Sequence, residues 1–345
     1  PLRATFRYNN GMNDCLRLMQ LNAENLFLYL DKLEGNDLTI LSETQWQQLS
    51  IASVKNKSLK KTRWLAESIL QEDPDVVFLN EVGGLESLEN FNQLFLSDQY
   101  QCLLKEGNSD RGIDIGYLVH KRVPSQLLLL SHKRRSISFQ YVHEKLSEKP
   151  TAPHGFSRDV AELRLFDKAS GKLQFVLLGV HLKSKLDPEG IDPEGKGRRR
   201  AEFETLLKIY NDILSETSNQ VPICILGDFN GQARASDPDE EFASIRNTDL
   251  VDIFDISKLD LSERITQFQV TSNSAPIARQ IDYIFLSHHL HSAFDPKSAQ
   301  VIHYKNELGL PIPEVQTSAQ RYEMPSDHFP LQVDLNLAMT ENEDQ

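Results

Sequence analysis

Ile223-Cys224-Ile225-Leu226-Gly227-Asp228-Phe229-Asn230 opens on four apolar residues and closes on a glycine, an acid, a ring and an amide. A short apolar run broken by Gly and Asp predicts a buried strand whose end reaches a sheet edge. Upstream, positions 198–215 repeat apolar residues at helical spacing, with Ala201, Leu206, Ile209, Tyr210, Ile213 and Leu214 on one face. Positions 58–71 do the same with Leu59, Thr62, Leu65, Ala66, Ile69 and Leu70, and Pro74 stops the pattern. Each of these helices is followed within a few residues by a strongly apolar strand.

Further strand-like runs fall at 16–21, 76–79, 115–119, 126–130, 136–141, 160–166, 173–180, 283–286, 299–303 and 331–337. Strands thus outnumber helices widely. The expected architecture is an α/β sandwich, two sheets packed face to face with helices outside. Two long loops, 31–57 with Trp46 and 183–197, are of a length that is more often functional than idle.

The 345 residues carry 37 Lys or Arg against 50 Asp or Glu, a formal charge of −13, with 39% hydrophobic residues. That balance excludes a disordered or collagen-like chain. The apolar runs are far shorter than the roughly 20 residues of a membrane span. It also argues against whole-surface attraction to nucleic acid or anionic lipid, while leaving room for a local basic or metal-charged site. Cys15, Cys102 and Cys224 are too scattered for a disulfide framework. Few cysteines favour a cytoplasmic setting weakly, but the start at Pro1 without Met reads as a processed or truncated chain, so secretion stays open. The acidic end at 340–345 reads as a frayed tail.

Polar residues recur at strand ends. Asn22 and Glu24 follow the first strand, Asn80 and Glu81 the second, His181 the 173–180 run, and Asp228 and Asn230 the quoted stretch. Asp282 precedes 283–286, and Asp327 with His328 precedes the last strand. Any one of these is ordinarily a turn residue. If the last two strands run antiparallel to the others, all six ends meet at one rim. Hard oxygen ligands for Mg²⁺ or Mn²⁺ would then sit beside imidazoles able to move protons.

With these residues in place the chain resembles the endonuclease/exonuclease/phosphatase superfamily, which includes pancreatic-type deoxyribonuclease, abasic-site endonucleases, neutral sphingomyelinases and inositol polyphosphate 5-phosphatases. The likeness rests on Leu21-Asn22-Ala23-Glu24, Leu79-Asn80-Glu81-Val82, Arg111-Gly112-Ile113-Asp114, Ser157-Arg158-Asp159, His181-Leu182-Lys183-Ser184, Gly227-Asp228-Phe229-Asn230, Ile281-Asp282-Tyr283 and Ser326-Asp327-His328-Phe329-Pro330, in the family's order. It implies a four-layered α/β sandwich of two mostly antiparallel sheets flanked by helices. It also implies one domain over 1–345, with a core of about 16–337. Carried over, Glu81 resembles the principal metal ligand, with Asn22, Glu24 and Asp327 beside it. His328 resembles the catalytic histidine held by Asp282. Asp228 would position or deprotonate water, with Asn230 and His181 facing phosphate, and Arg158 and Lys183 contacting substrate.

The resemblance implies a Mg²⁺-dependent phosphodiester hydrolase, with Mn²⁺ as substitute, acting on DNA as a monomer. A phosphatase or lipid phosphodiesterase of the same fold is the rival, and a catalytically silent binding module a second. Glu24 stands where some members carry Asp. The Trp-x-Gly-Asp-x-Asn and Cys-Asp-Arg patterns expected of inositol polyphosphate 5-phosphatases are missing. Lys183, Lys185, Lys196 and Arg198 to Arg200 form the basic cluster best placed to receive substrate phosphates, followed by Lys55 to Arg63 and His132 to Arg135.

Overall fold

Two six-stranded sheets stack face to face in the computed structural model, which describes residues 15–30, 38, 40–148, 151–271, 274–306 and 308–337. The first sheet contains β1 (Cys15–Leu26), β2 (Val76–Val82), β3 (Tyr100–Leu104), β4 (Asp114–His120), β13 (Gln300–Val301) and β14 (Leu331–Asn336). The second contains β5 (Ser125–Ser131), β6 (Val160–Asp167), β7 (Leu173–His181), β8 (Ile223–Asp228), β9 (Val251–Asp252) and β12 (Asp282–Leu286). Their orders are β3-β4-β2-β1-β14-β13 and β5-β6-β7-β8-β12-β9. A separate hairpin is formed by β10 (Gln267–Thr271) and β11 (Ser274–Arg279).

Each sheet has one parallel pair at its centre, β1 with β2 and β7 with β8, and antiparallel pairs outside it. Parallel neighbours cannot be joined by a tight turn and need a crossover. The two helices legible in the sequence are those crossovers: α2 (Leu59–Glu72) and α5 (Lys196–Glu216). Between them in the chain come α3 (Gly84–Phe95) and α4 (Val142–Lys145), with α1 (Glu43–Gln48) before and α6 (Ile253–Ser257) and α7 (Ser318–Glu323) after.

The main core lies between the sheets, where Phe78, Tyr117, Leu163, Leu177, Leu226 and Ile284 are buried together, and Leu65, Ile69, Leu88 and Phe91 of α2 and α3 extend it. Gly179 gives the Phe78 ring its space, since a Cβ there would stand 2.1 Å from a ring carbon. A second core packs Leu206, Ile209, Tyr210 and Ile213 of α5 on Val176, Leu178, Ile223 and Ile225. Helix, sheet, sheet and helix make the four-layered α/β sandwich.

Several local expectations change. Positions 136–141 form no strand; Phe139 and Tyr141 pack their rings on each other and on His154 instead. The run at 299–303 shrinks to the two residues of β13. Leu70 is 40% exposed, so it lies off the buried face of α2. Trp46 is wholly buried on α1 inside the long loop, its indole N–H donating to the Lys57 carbonyl at 2.8 Å. β3, α3 and the β10–β11 hairpin were not anticipated. Residues 31–37 of that loop and the tail at 340–345 lie outside the described residues. Among the described residues, no helix is long and apolar enough to cross a membrane.

Candidate active site

The carboxy ends of β1, β2, β7 and β8 meet the amino ends of β12 and β14 at one rim. Asn22 stands in register with Asn80, and Asp228 with both His181 and Asp282. Side chains also cross from sheet to sheet there. Gln20 donates to Asp282 Oδ1 at 2.9 Å and to Asn80 Oδ1 at 3.0 Å, and Asn80 donates to the Val180 carbonyl at 2.8 Å. The backbone turns sharply at this edge. Glu24, Asn25, Glu81 and Asn230 all take positive φ, between 44° and 60°. Such conformations cost non-glycine residues energy and gather where a side chain has to be aimed.

His328 and Asp282 form the centre. The imidazole Nδ1–H donates to Asp282 Oδ2 at 2.7 Å, and both groups are buried. Burial alone would discharge the ring, but the Asp282 carboxylate outweighs it and raises the His328 pKa well above the ordinary value. Nε2 of the same ring meets the Gln267 side-chain amide at 3.0 Å and lies 3.9 Å from Asp228 Oδ2. Burial pushes the Asp228 carboxyl up to about 7, with His328 pulling the other way and Asp282 adding to the rise. His181 lies 3.6 Å from Asp228 on the other side, and burial, Arg158 and His328 together hold it neutral. A carboxylate that exchanges a proton near neutral pH thus sits between a charged and an uncharged imidazole.

Asn230 donates its amide to the Leu182 carbonyl at 3.1 Å, and its backbone N–H to Asp228 Oδ1 at 2.8 Å. Asn22 gives its amide N–H to Asp228 Oδ2 at 3.1 Å and accepts the Glu24 N–H at 3.0 Å. Glu81 Oε2 accepts the Asn25 N–H at 3.1 Å. Asp327 pairs with Arg321 at 2.7 Å, and the same guanidinium reaches Glu24 at 3.3 Å. Lys61 stands 3.6 Å from Glu24, and buried Lys57 donates to the Glu24 carbonyl at 3.0 Å. Burial lowers the Lys57 pKa to about 8 despite these acids.

Carboxylate and amide oxygens without thiolate or imidazole suit a hard dication. Glu24 supplies a direct sign of fit: its Oε2 is buried without a hydrogen bond, and burial and then Asp327 push its carboxyl above the ordinary range. A cation arriving there would meet an oxygen that accepts no hydrogen bond and is faced by Lys61 from 3.6 Å. Among the described residues, the one group whose ligand atoms all lie within 4.8 Å of each other is Asp228, Asp282 and His328. That closeness is explained by the Asp282–His328 bond, and a protonated imidazole cannot ligate a metal. Asn22, Glu24, Glu81 and Asp327 are the better candidates.

No protein-family model matches this sequence, and no curated protein matches it in sequence. Solved structures do match in shape. An endonuclease/exonuclease/phosphatase family protein from Bacteroides thetaiotaomicron aligns with a TM-score of 0.54 at 17% identity, covering 93% of this chain and 97% of that one. The chain has the endonuclease/exonuclease/phosphatase fold. The human Nocturnin catalytic domain with bound sulfate gives 0.53 at 18% identity, over 94% of each chain. D. rerio TDP2 complexed with a single-strand DNA product gives 0.53 at 16%, over 93% of this chain and 99% of that chain.

Within this endonuclease/exonuclease/phosphatase fold, Arg158 is buried at the head of β6, 3.4 Å from the Leu182 carbonyl, within electrostatic reach of Glu81 and Asp228. Lys183 is placed differently, its ammonium donating to carbonyls of its own loop at Ser184 and Leu186. The basic cluster that follows it is largely spent inside the protein. Arg199 is fully buried on Glu241, Arg200 pairs with Glu240 at 2.6 Å, and Arg198 with Glu202 at 3.4 Å. The 132–135 cluster is similarly engaged, His132 with Glu162 and Arg135 with Asp212.

Sequence reasoning missed Gln20, Arg321 and Glu202, and it read Lys57 and Lys61 as part of a basic cluster for substrate phosphates, whereas both face Glu24. Glu202 is a buried carboxylate of α5 that accepts the N–H groups of Ser157 and Lys183, both at 2.7 Å, so it ties together the loops bearing Arg158 and His181. Gln20 did leave a signal, as the lone amide inside the apolar run at 16–21.

Proposed function

We propose that this chain is a divalent-metal-dependent phosphodiester hydrolase, one monomeric domain acting on DNA. The observation that carries the reading is the Asp282–His328 ion pair, aimed at Asp228 from 3.9 Å on a rim that also bears Glu24, Glu81 and Asp327. Asn22, Glu24, Glu81 and Asp327 would hold Mg²⁺, or Mn²⁺ in its place. When bound, that cation neutralises phosphate oxygens and stabilises the leaving oxygen. Asp228 takes the proton of the attacking water, and His328, charged by Asp282, supplies charge and a proton to the phosphate side. His181 and Asn230 donate hydrogen bonds to phosphate oxygens, and Arg158 offsets their charge. Lys183 joins them on releasing the carbonyls of its own loop.

The choice of nucleic acid is supported by the shared fold with D. rerio TDP2, whose structure holds a single-strand DNA product. Because Arg198, Arg199 and Arg200 face their own acids, the contact is short, a few phosphates of a single strand. Engaging about three phosphates predicts a log–log salt slope of about −2.

The test offers the protein a single-strand oligonucleotide, plasmid, an abasic duplex, a phosphoinositide and sphingomyelin, each with Mg²⁺ and with EDTA. Cleavage of the oligonucleotide that is lost in EDTA, in Glu81→Ala and in His328→Ala is expected. Turnover confined to the inositol or sphingolipid substrates would transfer the reading to its rival. No turnover of any substrate would favour a binding module.

A further inference from the structure

The acids proposed to hold the dication already have counter-ions of their own. Arg321 bridges two of them, at 2.7 Å from Asp327 and 3.3 Å from Glu24, while Lys61 lies 3.6 Å from the other oxygen of Glu24. Lys57 adds a third positive charge, buried and fixed on the Glu24 carbonyl at 3.0 Å. Three carboxylates, counting Glu81, thus meet three cations. Of the three, Arg321 is the most exposed, its side chain at 32% against 20% for Lys61, and it belongs to the six-residue helix α7. Lys57 has nowhere to go. Arg321 also touches two proposed ligands at once, so a cation held by either would have to share them with its guanidinium.

Resting on the proposed metal-dependent reading, we infer that Arg321 is a displaceable counter-ion that holds Glu24 and Asp327 in the metal-free protein and sets the dication affinity by having to release them. A bound dication and the guanidinium compete for the same two carboxylates. Removing one positive charge a few ångströms from a dication, after solvent and salt screening, tightens binding by about tenfold. The metal-free protein should lose stability in the same variant, because Glu24 and Asp327 are left facing each other.

The experiment is Mn²⁺ titration without substrate, by electron paramagnetic resonance and calorimetry, on the full chain, Arg321→Gln, Lys60→Gln and Glu81→Gln. Lys60 of α2 pairs at 3.3 Å with Glu323 of α7, both well exposed, so Lys60→Gln removes a nearby charge without touching the site. Arg321→Gln should bind Mn²⁺ about tenfold tighter, melt at a lower temperature without metal and gain more on adding it. Lys60→Gln should shift affinity less than about threefold. Equal or weaker binding by Arg321→Gln, or an equal gain in Lys60→Gln, overturns the inference while leaving the metal reading intact if Glu81→Gln abolishes binding. Absence of Mn²⁺ binding in both the parent protein and Arg321→Gln removes the metal reading and the inference together.

Discussion

Replacing Asp282 by Asn changes one atom in the most enclosed part of the site. The carboxylate accepts from two donors, Gln20 at 2.9 Å and His328 Nδ1 at 2.7 Å. An amide has one acceptor, so one of those donors must face an NH₂ group. If the Gln20 contact is kept, the imidazole loses its counter-charge, discharges, and moves its proton to Nε2. The cost of breaking a buried charge pair from one side is about 3–5 kcal/mol. Because the folded His328 pKa lies above 6.5, its stabilisation is fully present below about pH 6.5 and fades as pH rises through the folded value. The deficit of Asp282→Asn should therefore be greatest in mildly acidic buffer and shrink in alkali. Loss of a charged acid/base partner should lower kcat by about 10²–10⁴ with little change in KM. Urea unfolding at pH 6 and pH 9, with cleavage of a fluorescent oligonucleotide in Mg²⁺, measures both effects. A variant with kcat within threefold of the parent and the same stability at pH 6 would refute the assigned roles of His328 and Asp282.

Gln20→Leu should leave Asn80 and Asp282 each short of a donor and cost about 2–3 kcal/mol in thermal unfolding, with a fall in kcat. Glu202→Gln should loosen the loops of Arg158 and His181 together, raising the inhibition constant for inorganic phosphate and lowering kcat/KM about tenfold; unchanged phosphate inhibition would rule out the positioning role. Asp252 belongs to β9, beside β12, and burial pushes its carboxyl from 3.8 to about 7, against the pull of its Gln280 hydrogen bond. The unfolded chain releases that proton first, so stability falls as pH rises from about 4 to 7. Asp252→Asn should flatten this trend and add about 2–4 kcal/mol at pH 8, measured by denaturant titration across that range.

The rim was legible because strand ends are punctuated in the chain itself. Asn22, Glu81, His181, Asp228, Asp282 and His328 each break an apolar run, and a run that stops at a polar residue marks an edge. The crossover helices were legible for a similar reason, since α2 and α5 bury one face and repeat at helical spacing. Other features depend on contacts distant in sequence. Arg321 comes near Glu24 only after β1 and β14 have paired, and nothing local distinguishes it from an exposed arginine. Arg198 to Arg200 look like a phosphate-binding run until Glu202, Glu240 and Glu241 are seen opposite them. β3 was missed because Tyr100-Gln101-Cys102 is half polar, as suits a strand on the sheet edge.

The pairing of β1 with β14 joins residues 15–20 to 331–336 and seats the last described strand second from the edge of the first sheet, between β1 and β13. Asp327 and His328 arrive with that strand. During synthesis, everything from Asn22 to Asp282 can leave the ribosome while His328 is still missing. The nascent chain therefore also carries an open β1 edge over most of its synthesis, and final closure spans more than 300 residues, the kind of remote contact that slows folding. On the proposed reading, a chain built in this order cuts no phosphodiester until the sheet is sealed.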